Sequence, residues 1–329
     1  MHEFNLIQKY FIWNNPPRDV VTTVGDDAAV IDISYNKQLV TSIDTLVSGV
    51  HFPENTPPHA IGYKALAVNL SDLAAMGASP RWFTLALTLP EIDEKWLEEF
   101  SAGLKSLAQQ HDCFLIGGDT TRGPLSISIQ VMGVVDTGKA ILRSGARVGD
   151  KIYVTGTLGD AAAGLQSIVD NKNNNKLSSL EKEAKVFCQN RLNLPTPRIV
   201  ESNIIKHFAS TCIDVSDGLL QDLSHILEAS GVAANLDLTQ LPLSSALTTL
   251  HNQQAINLAL TGGDDYELLF TIPESRETNF VGIVEGKARV TCIGVITDTK
   301  EDQTVITDEN GNLLTNANNY KGYNHFDDR

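Results

Sequence analysis

The chain has 329 residues, of which 42% are hydrophobic and 20% charged, and this composition is typical of a globular protein with about two domains. A formal net charge of -15 argues against nucleic-acid binding, although bound metal ions would still admit anionic substrates. The four cysteines lack C-x-x-C spacing, which predicts reduced core residues instead of disulfides or a zinc site. With no signal-like start and no long apolar run, we expect a soluble, cytoplasmic protein without a membrane partner.

The first half of the chain predicts strands and helices in alternation. The helix at residues 60–76 is apolar nearly all round and ends before Gly77, so we expect it to be buried. A short strand is expected to end at the Gly117-Gly118-Asp119 segment. The predicted strands are 37–44, 82–89, 114–116 and 126–135, and the second helix is 93–110.

The second half begins after a turn at residues 143–150 and again mixes both kinds of element. Residues 171–179 are polar and predict an exposed, mobile connection. We expect two α+β domains, residues 1–140 and 141–329. The predicted strands are 151–155, 211–215, 233–238, 266–271 and 291–296, and the predicted helices are 159–169, 179–190, 197–208, 218–231 and 282–287.

Acidic residues recur beside glycine at the ends of short apolar runs. A carboxylate buried alone is very costly, so carboxylates gathered at strand ends require cations. Hard oxygen ligands suit magnesium, and magnesium held by a few carboxylates usually accompanies phosphates. The pattern therefore predicts a magnesium–nucleotide enzyme. The acidic positions are Asp26, Asp27, Asp44, Asp72, Asp119, Asp214, Asp217, Asp264 and Asp265.

Each acidic position taken singly also has a structural interpretation. Asp27 fits a turn, Asp44 fits a strand-end cap and Asp217 fits a helix N-cap. Asp72 lies mid-helix between leucines, where it is either bonded to a buried backbone amide or held on a rigid element as a metal ligand. A metal site is therefore predicted only because several such acidic positions occur together in one chain.

The segment Gly117–Gly123 has the composition of a phosphate cradle, in which glycine amides approach an anion, Asp119 binds a metal and Arg122 pairs with phosphate. Arg143 either reaches a phosphate or solvates its loop. The sequence has no Walker G-x-x-x-x-G-K-[ST] motif, no protein-kinase H-R-D or D-F-G motif, no H-E-x-x-H and no G-x-S-x-G.

Taken in order, the motifs resemble those of the thiamine-monophosphate kinase family over essentially the whole chain. The motifs are Gly25-Asp26-Asp27-Ala28-Ala29, the segment from Asp44 to Phe52, the segment from Lys64 to Ala78, Gly117-Gly118-Asp119-Thr120-Thr121-Arg122-Gly123, Asp214-Val215-Ser216-Asp217-Gly218-Leu219, Gly262-Gly263-Asp264-Asp265-Tyr266-Glu267-Leu268 and the tail from Tyr320 to Phe326.

The resemblance implies a two-domain α+β fold shared with aminoimidazole ribonucleotide synthetase. The N-terminal domain is expected to bind metal and ATP and to pair across a homodimer, and the C-terminal domain to complete the substrate cleft. The implied activity is ATP- and Mg²⁺-dependent, direct in-line phosphorylation of thiamine monophosphate to thiamine diphosphate, the last step of thiamine diphosphate biosynthesis. No catalytic base is implied, since a phosphate monoester is mostly deprotonated at neutral pH.

The resemblance also implies roles for individual residues. Two positions depart from the family pattern: Ile43 offers a metal only its carbonyl, and Asp264 stands where glutamate is common. The implied ligands of several Mg²⁺ ions are Asp27, Ser42, Ile43, Asp44, Asp72, Asp119, Asp214 and Asp217, the nucleotide contacts are Gly118, Asp119, Arg143 and Ser216, and the thiamine monophosphate contacts are His51, Asp264 and Tyr323.

Two alternative functions stay open at this level. The chain could be another ATP-using synthetase of the same superfamily, which tight binding of thiamine monophosphate would exclude. It could also be a non-catalytic protein stabilised by calcium or magnesium, which predicts thermal stabilisation by metal alone and no ATP turnover.

Overall fold

A computed structural model gives the structure of the protein and describes residues 3–24, 28–170, 177–299, 305–308 and 310–316. No helix in these ranges has the length and apolar character that crossing a membrane requires. The chain divides into two compact units. Unit 1 comprises Met1–Leu73 and Gly77–Ala140, and unit 2 comprises Ala74–Met76 and Ile141–Arg329.

Unit 1 contains a sheet of four described strands in the order β3-β6-β4-β5. β6 is antiparallel to both of its neighbours, whereas β4 and β5 are parallel. A separate short ribbon pairs β1 with β2. The strands are β1 Val20–Thr22, β2 Val30–Ile31, β3 Lys37–Val47, β4 Ser79–Leu89, β5 Phe114–Arg122 and β6 Ser126–Asp136.

The helices of unit 1 are α1 Glu3–Tyr10, α2 Pro58–Ala75 and α3 Glu94–Gln110. α2 is buried on nearly all sides, with Leu66 and Leu70 fully inaccessible. α2 and α3 approach each other closely because both present glycine at the crossing. A Cβ on Gly62 would meet the carbonyl of Phe100, and a Cβ on Gly103 would meet the carbonyl of His59.

Unit 2 is built on a sheet whose described strands follow the order β13-β12-β9-β11-β7-β10-β8. The neighbouring pairs are antiparallel except β12 and β9, which are parallel. β10 is fully buried and lies between β7 and β8. The strands are β7 Lys151–Thr155, β8 Thr211–Val215, β9 Ala233–Leu236, β10 Glu267–Ile272, β11 Val290–Thr297, β12 Val305–Thr307 and β13 Leu313–Asn316.

Helices and a main core complete unit 2. The main core packs apolar side chains of α7 against strands β7 to β11 and includes Leu223, Leu227, Val154 and Leu269. The helices are α4 Asp160–Val169, α5 Ser179–Asn193, α6 Ile199–Ile205, α7 Leu219–Ser230, α8 Ser245–His251, α9 Ala255–Thr261 and α10 Glu274–Val284, with a 3₁₀ turn at Leu238–Gln240.

Most predicted elements are present with bounds shifted by a few residues, but two predictions are wrong. The strand predicted to end at residue 116 continues as β5 through both glycines to Arg122. The helix predicted at 282–287 is instead the end of α10, which begins at Glu274. Sequence patterns also missed α1, α8 and α9. The mobile connection predicted for residues 171–179 lies outside the described residues at 171–176.

Candidate active site

Two carboxylates lie close together in unit 1. Ser42 and Asp44 are half-buried on one face of β3, while Ile43 points to the other face and is 62% exposed. Asp72 lies on α2, and its Oδ2 accepts a 2.5 Å hydrogen bond from the hydroxyl of Ser42. Burial, together with the nearby charge of Asp72, raises the pKa of Asp44 to about 6. Such a pair favours a cation between or beside its members.

His51 follows β3 in a turn that fixes its ring. The backbone N–H of Val47 donates a 3.0 Å hydrogen bond to Nδ1 of His51, and Nζ of Lys64 donates to the carbonyl of His51. Because Nδ1 is an acceptor, the neutral ring carries its proton on Nε2. Nε2–H is therefore the N–H donor of the neutral ring.

The glycine segment predicted to form a phosphate loop is the middle of β5. Gly118 pairs with Leu85 of β4, and a Cβ at Gly118 would collide with the carbonyl of Leu85. The glycine is required by this close approach of two strands and not by a turn. Asp119 follows as an exposed residue. A pocket with an empty volume of about 290 Å³ borders residues 117–120 and has apolar walls that include Ile7 of α1 and Phe11 directly after it.

In unit 2, the predicted acidic motif joins β8 to α7. Asp214 is 5% exposed at the end of the strand, and Oδ2 of Asp217 accepts a hydrogen bond from Gln221. Gly218 occupies the N-cap position of α7 and has no side chain to cap it, so the N-cap interpretation of Asp217 is wrong. The capping group is Asp222, which the sequence reasoning missed.

Asp222 accepts hydrogen bonds from three successive backbone N–H groups at one oxygen, each 3.1 Å long. Burial is the main cause that raises its pKa well above the usual value, and the charges of Asp214 and Asp217 act in the same direction. The available sequence signal was an aspartate among leucines in the helix predicted at 218–231, similar to the signal that singled out Asp72.

Asp264 lies beside this loop in a backbone conformation that few residues adopt. Its φ is 69°, and Tyr266 has a φ of 50°. The hydroxyl of Tyr266 donates to Oδ1 of Asp264 at 3.1 Å, so the side chain of the predicted substrate residue has a defined orientation. Two strained residues so close together are typical of functional segments.

Asp265 lies between these two strained residues and is fully buried. It was not assigned a structural role from the sequence. Its carboxylate accepts the N–H groups of Gly159 (2.6 Å) and Ala161 (3.2 Å) at the start of α4. Burial raises the pKa of Asp265 to about 8, although these N–H groups and the charge of Arg191 act in the opposite direction.

Glu267, the first residue of β10, forms a buried ion-pair cluster. Arg191 donates to Oε1 at 2.7 Å, and Arg198 donates to both oxygens of the carboxylate. The hydroxyl of Thr155 adds a 2.6 Å bond. Asp265 and Glu267 therefore hold the backbone on the C-terminal side of Asp264.

The predicted site residues are divided between the two units. Asp27 and Tyr323 lie outside the described residues. Among the residues that are described, no three or more His, Cys, Asp or Glu side chains are arranged to hold a metal ion. Unit 1 carries Ser42, Ile43, Asp44, His51, Asp72, Gly118 and Asp119, and unit 2 carries Arg143, Asp214, Ser216, Asp217 and Asp264.

Comparison with known proteins identifies the family. Residues 25–135 match the model of the AIR synthase related protein N-terminal domain, and residues 147–307 match that of its C-terminal domain. The chain is 48% identical over 328 residues to the thiamine-monophosphate kinase of Salmonella typhimurium, with 98% of both chains covered.

Solved structures give the same result. A crystal structure of thiamine-monophosphate kinase from Stenotrophomonas maltophilia is 46% identical, with a TM-score of 0.83 and coverage of 90% of this chain and 93% of the other. The AaThiL protein complexed with AMPPCP and TMP is 32% identical, with a TM-score of 0.77 and 92% of each chain covered. The chain therefore belongs to the thiamine-monophosphate kinase family of AIR synthase related proteins.

Proposed function

We propose that this protein transfers the γ-phosphoryl group of ATP to thiamine monophosphate, giving thiamine diphosphate and ADP as the last step of thiamine diphosphate biosynthesis in the cytoplasm. Family membership supports the reaction, and a relative has been solved with AMPPCP and TMP bound together. The observation that carries the proposal is the carboxylate pair of Asp44 and Asp72, with the hydroxyl of Ser42 bonded to Asp72. Two adjacent carboxylates on rigid elements suit a metal-dependent phosphoryl transfer.

Magnesium is the metal that the donor set fits. The residues offer carboxylate, hydroxyl and carbonyl oxygens, and a cation would offset the burial and the charge of Asp72 that raise the pKa of Asp44. When bound, Mg²⁺ would neutralise charge on the phosphates. The proposed ligands are Asp27, Ser42, Asp44, Asp72, Asp119, Asp214 and Asp217, with the carbonyl of Ile43.

The remaining site residues are proposed to hold the two substrates. Nε2–H of His51 would donate to an oxygen of the substrate phosphate, and the oriented carboxylate of Asp264 would attract the cationic thiamine ring. Tyr323 is proposed as a further contact with thiamine monophosphate. The proposed nucleotide contacts are Gly118, Asp119, Arg143 and Ser216.

The transfer is proposed to be direct and in line, without a base and without a phosphoenzyme. The attacking phosphate monoester has a second pKa near 6, so it is mostly ionised at neutral pH. What the reaction needs is the positioning of two polyanions, which charge and hydrogen-bond donors supply. His51 is then a substrate contact and not a nucleophile.

A homodimer is also proposed, paired through unit 1. β3 is the outer strand of its sheet in the described structure, and alternate side chains along it are exposed. Leu39 and Ile43 are 43% and 62% exposed on that face. An exposed edge strand with apolar side chains is a ready site for pairing with a second copy.

The test is product analysis after mixing the protein with ATP, MgCl₂ and thiamine monophosphate. We expect thiamine diphosphate and ADP in equal amounts from the wild type, and a rate at least about 100-fold lower from Asp72→Asn. Asp112→Asn is the matched control, because Asp112 is exposed with a φ of 49°, a conformation that asparagine also adopts.

The outcomes separate the parts of the proposal. Intact ATP with no thiamine diphosphate from the wild type would contradict the function. A fully active Asp72→Asn variant would contradict the metal assignment alone. A phosphohistidine trapped after incubation with ATP and no acceptor would contradict direct transfer.

A further inference from the structure

One carboxylate binds the backbone N–H groups of the loop between β8 and α7. The N–H groups of Ser216, Asp217 and Gly218 all donate to Oδ2 of Asp222, which lies in the first turn of α7 and is 2% exposed. An N-terminal helix end leaves several N–H groups without helical partners, and an acidic side chain satisfies them well. Here a single buried acidic residue accepts from the N-cap residue Gly218 and from the two loop residues before it.

The segment that contains the two positive-φ residues Asp264 and Tyr266 binds the backbone carbonyls of the same loop. The N–H of Tyr266 donates to the carbonyl of Val215, and the N–H of Asp264 donates to the carbonyl of Ser216, both at 2.8 Å. Gly263 permits this approach, since a Cβ there would lie 2.6 Å from the carbonyl oxygen of Ser216. The loop is therefore fixed along both edges.

We infer that Asp222 is a positioning residue for the reaction, and this inference rests on the proposed function. By holding the three N–H groups, it fixes the backbone that carries Asp214, Ser216 and Asp217, and so sets where their oxygens meet metal and nucleotide. Since Ser216 uses its N–H for Asp222 and its carbonyl for Asp264, its hydroxyl is the group left to contact the nucleotide.

Removing Asp222 leaves three N–H groups without their acceptor and lets the loop adopt other arrangements. Groups that orient metal ligands typically change metal affinity or activity by about 10- to 100-fold when they are lost. The effect should therefore appear in the Mg²⁺ dependence of the reaction, and not only in stability.

The experiment measures thiamine diphosphate formation against Mg²⁺ concentration for the wild type, Asp222→Ala, Asp222→Leu and Asp222→Asn, with melting temperatures recorded in EDTA. We expect the half-saturating Mg²⁺ concentration to rise at least about 10-fold in Asp222→Ala, which removes the acceptor. Asp222→Asn should restore most of this loss, because its amide oxygen can still accept the three N–H groups. Should Asp222→Ala not fold, Asp222→Leu, which fills the site without an acceptor, decides the result.

Asp150→Ala is the matched control in the same unit. Asp150 is 5% exposed and accepts the N–H of Arg147 and the hydroxyl of Ser210, at the other end of β8. We expect it to lower the melting temperature while leaving the Mg²⁺ dependence within about two-fold. The inference is overturned if Asp222→Ala, or Asp222→Leu where Asp222→Ala does not fold, also stays within about two-fold while the wild type is active, whereas an inactive wild type would count against the proposed function itself.

Discussion

At Gly118 the chain has no room for a side chain, because an added Cβ would strike the carbonyl oxygen of Leu85 on β4. At Gly117 the same atom would meet only a methyl group of Thr84 at 3.7 Å, an ordinary contact. Two adjacent glycines thus have different roles, although they look equivalent in the sequence. Because the sequence does not show this difference, it did not reveal that the strand continues through both glycines.

Gly118→Ala should destabilise the protein, whereas Gly117→Ala should not. We expect the first change to lower the free energy of unfolding by about 1–3 kcal/mol, the usual cost of inserting an atom into a packed site. The second should stay within about 0.5 kcal/mol of the wild type. Urea unfolding followed by circular dichroism measures both. Equal stability of the two variants would show that the strands can separate to admit the methyl group.

Asp265 should make stability depend on pH. Its pKa is about 8 in the folded protein and 3.8 is its ordinary value, so the folded state binds the proton more tightly. Its contribution is complete below about pH 4 and is lost as the pH rises through 8, at no more than about 1.4 kcal/mol per pH unit. The amide that Asp265→Asn introduces does not titrate. The melting temperature of the wild type relative to this variant should therefore fall between about pH 5 and 8 and then level off.

A constant difference in melting temperature across this range would mean that Asp265 has the same protonation state in the folded and unfolded protein. In that case the N–H groups of Gly159 and Ala161 and the charge of Arg191 would outweigh burial. The measurement thus decides which of two opposed effects is larger at this carboxyl group.

At the scale of elements, the sequence predicted the helices whose apolar residues form a clear pattern. α2 and α3 were expected from their apolar spacing, and their observed ranges differ from the predictions by two residues or fewer. α8 and α9 were missed, and each has 7 residues, a length at which a helical period is weak; α6 is equally short but was predicted. α1 has 8 residues and was also missed.

The site was predictable where a residue was unusual for its own element. Asp72 stood out as a carboxylate in an apolar helix, and it does lie beside Asp44. Asp265 and Glu267 were not assigned structural roles, because their partners are distant in sequence. Arg191 and Arg198 are 76 and 69 residues away from Glu267. Sequence-local patterns carry no information about such pairs.

Glu267→Gln should destabilise unit 2 strongly, because Glu267 links β10 to α5 and to the start of α6. The carboxylate is inaccessible, and its two arginine partners are only 12% and 17% exposed. Removing one charge from a buried ionic cluster leaves the others uncompensated and costs about 3–5 kcal/mol. Denaturant unfolding monitored by the fluorescence of the protein measures the change.

The matched control is Glu94→Gln, which breaks the exposed ion pair with Lys9. The two side chains of that pair are 59% and 51% exposed, so we expect only a small loss of stability, within the usual range for surface ion pairs. A similar small loss for Glu267→Gln would show that water or rearranged neighbours compensate the arginines.

At the scale of the whole molecule, both units contain a group of neighbouring acidic residues. In each unit, acidic residues lie on a strand and on a helix, and in unit 2 also on the loop between them. Burial and neighbouring carboxylates raise the pKa of one carboxyl in each group: Asp44 beside Asp72, and Asp222 beside Asp214 and Asp217. The net charge of -15 reflects this accumulation in part. An acidic protein can bind polyanionic substrates only if cations offset the repulsion between the two negative charges.

Pairing of two chains is the prediction that belongs to this scale. β3 is the outer strand of its sheet in the described part of unit 1, and Leu39 and Ile43 are exposed along it. Sedimentation equilibrium should give a mass of about 71 kDa, twice that of the 35.7 kDa chain. Leu39→Lys should shift the equilibrium towards the monomer, because it places a charge where an apolar side chain would be buried.

Ile92→Lys is the control for this substitution. Ile92 is also apolar, 44% exposed and in unit 1, but it lies in the turn before α3, so the same change should leave the dimer intact. A wild-type mass near 35.7 kDa would exclude the dimer at that concentration. A dimer that survives Leu39→Lys would move the interface away from β3, and the exposed face of that strand would then need another explanation.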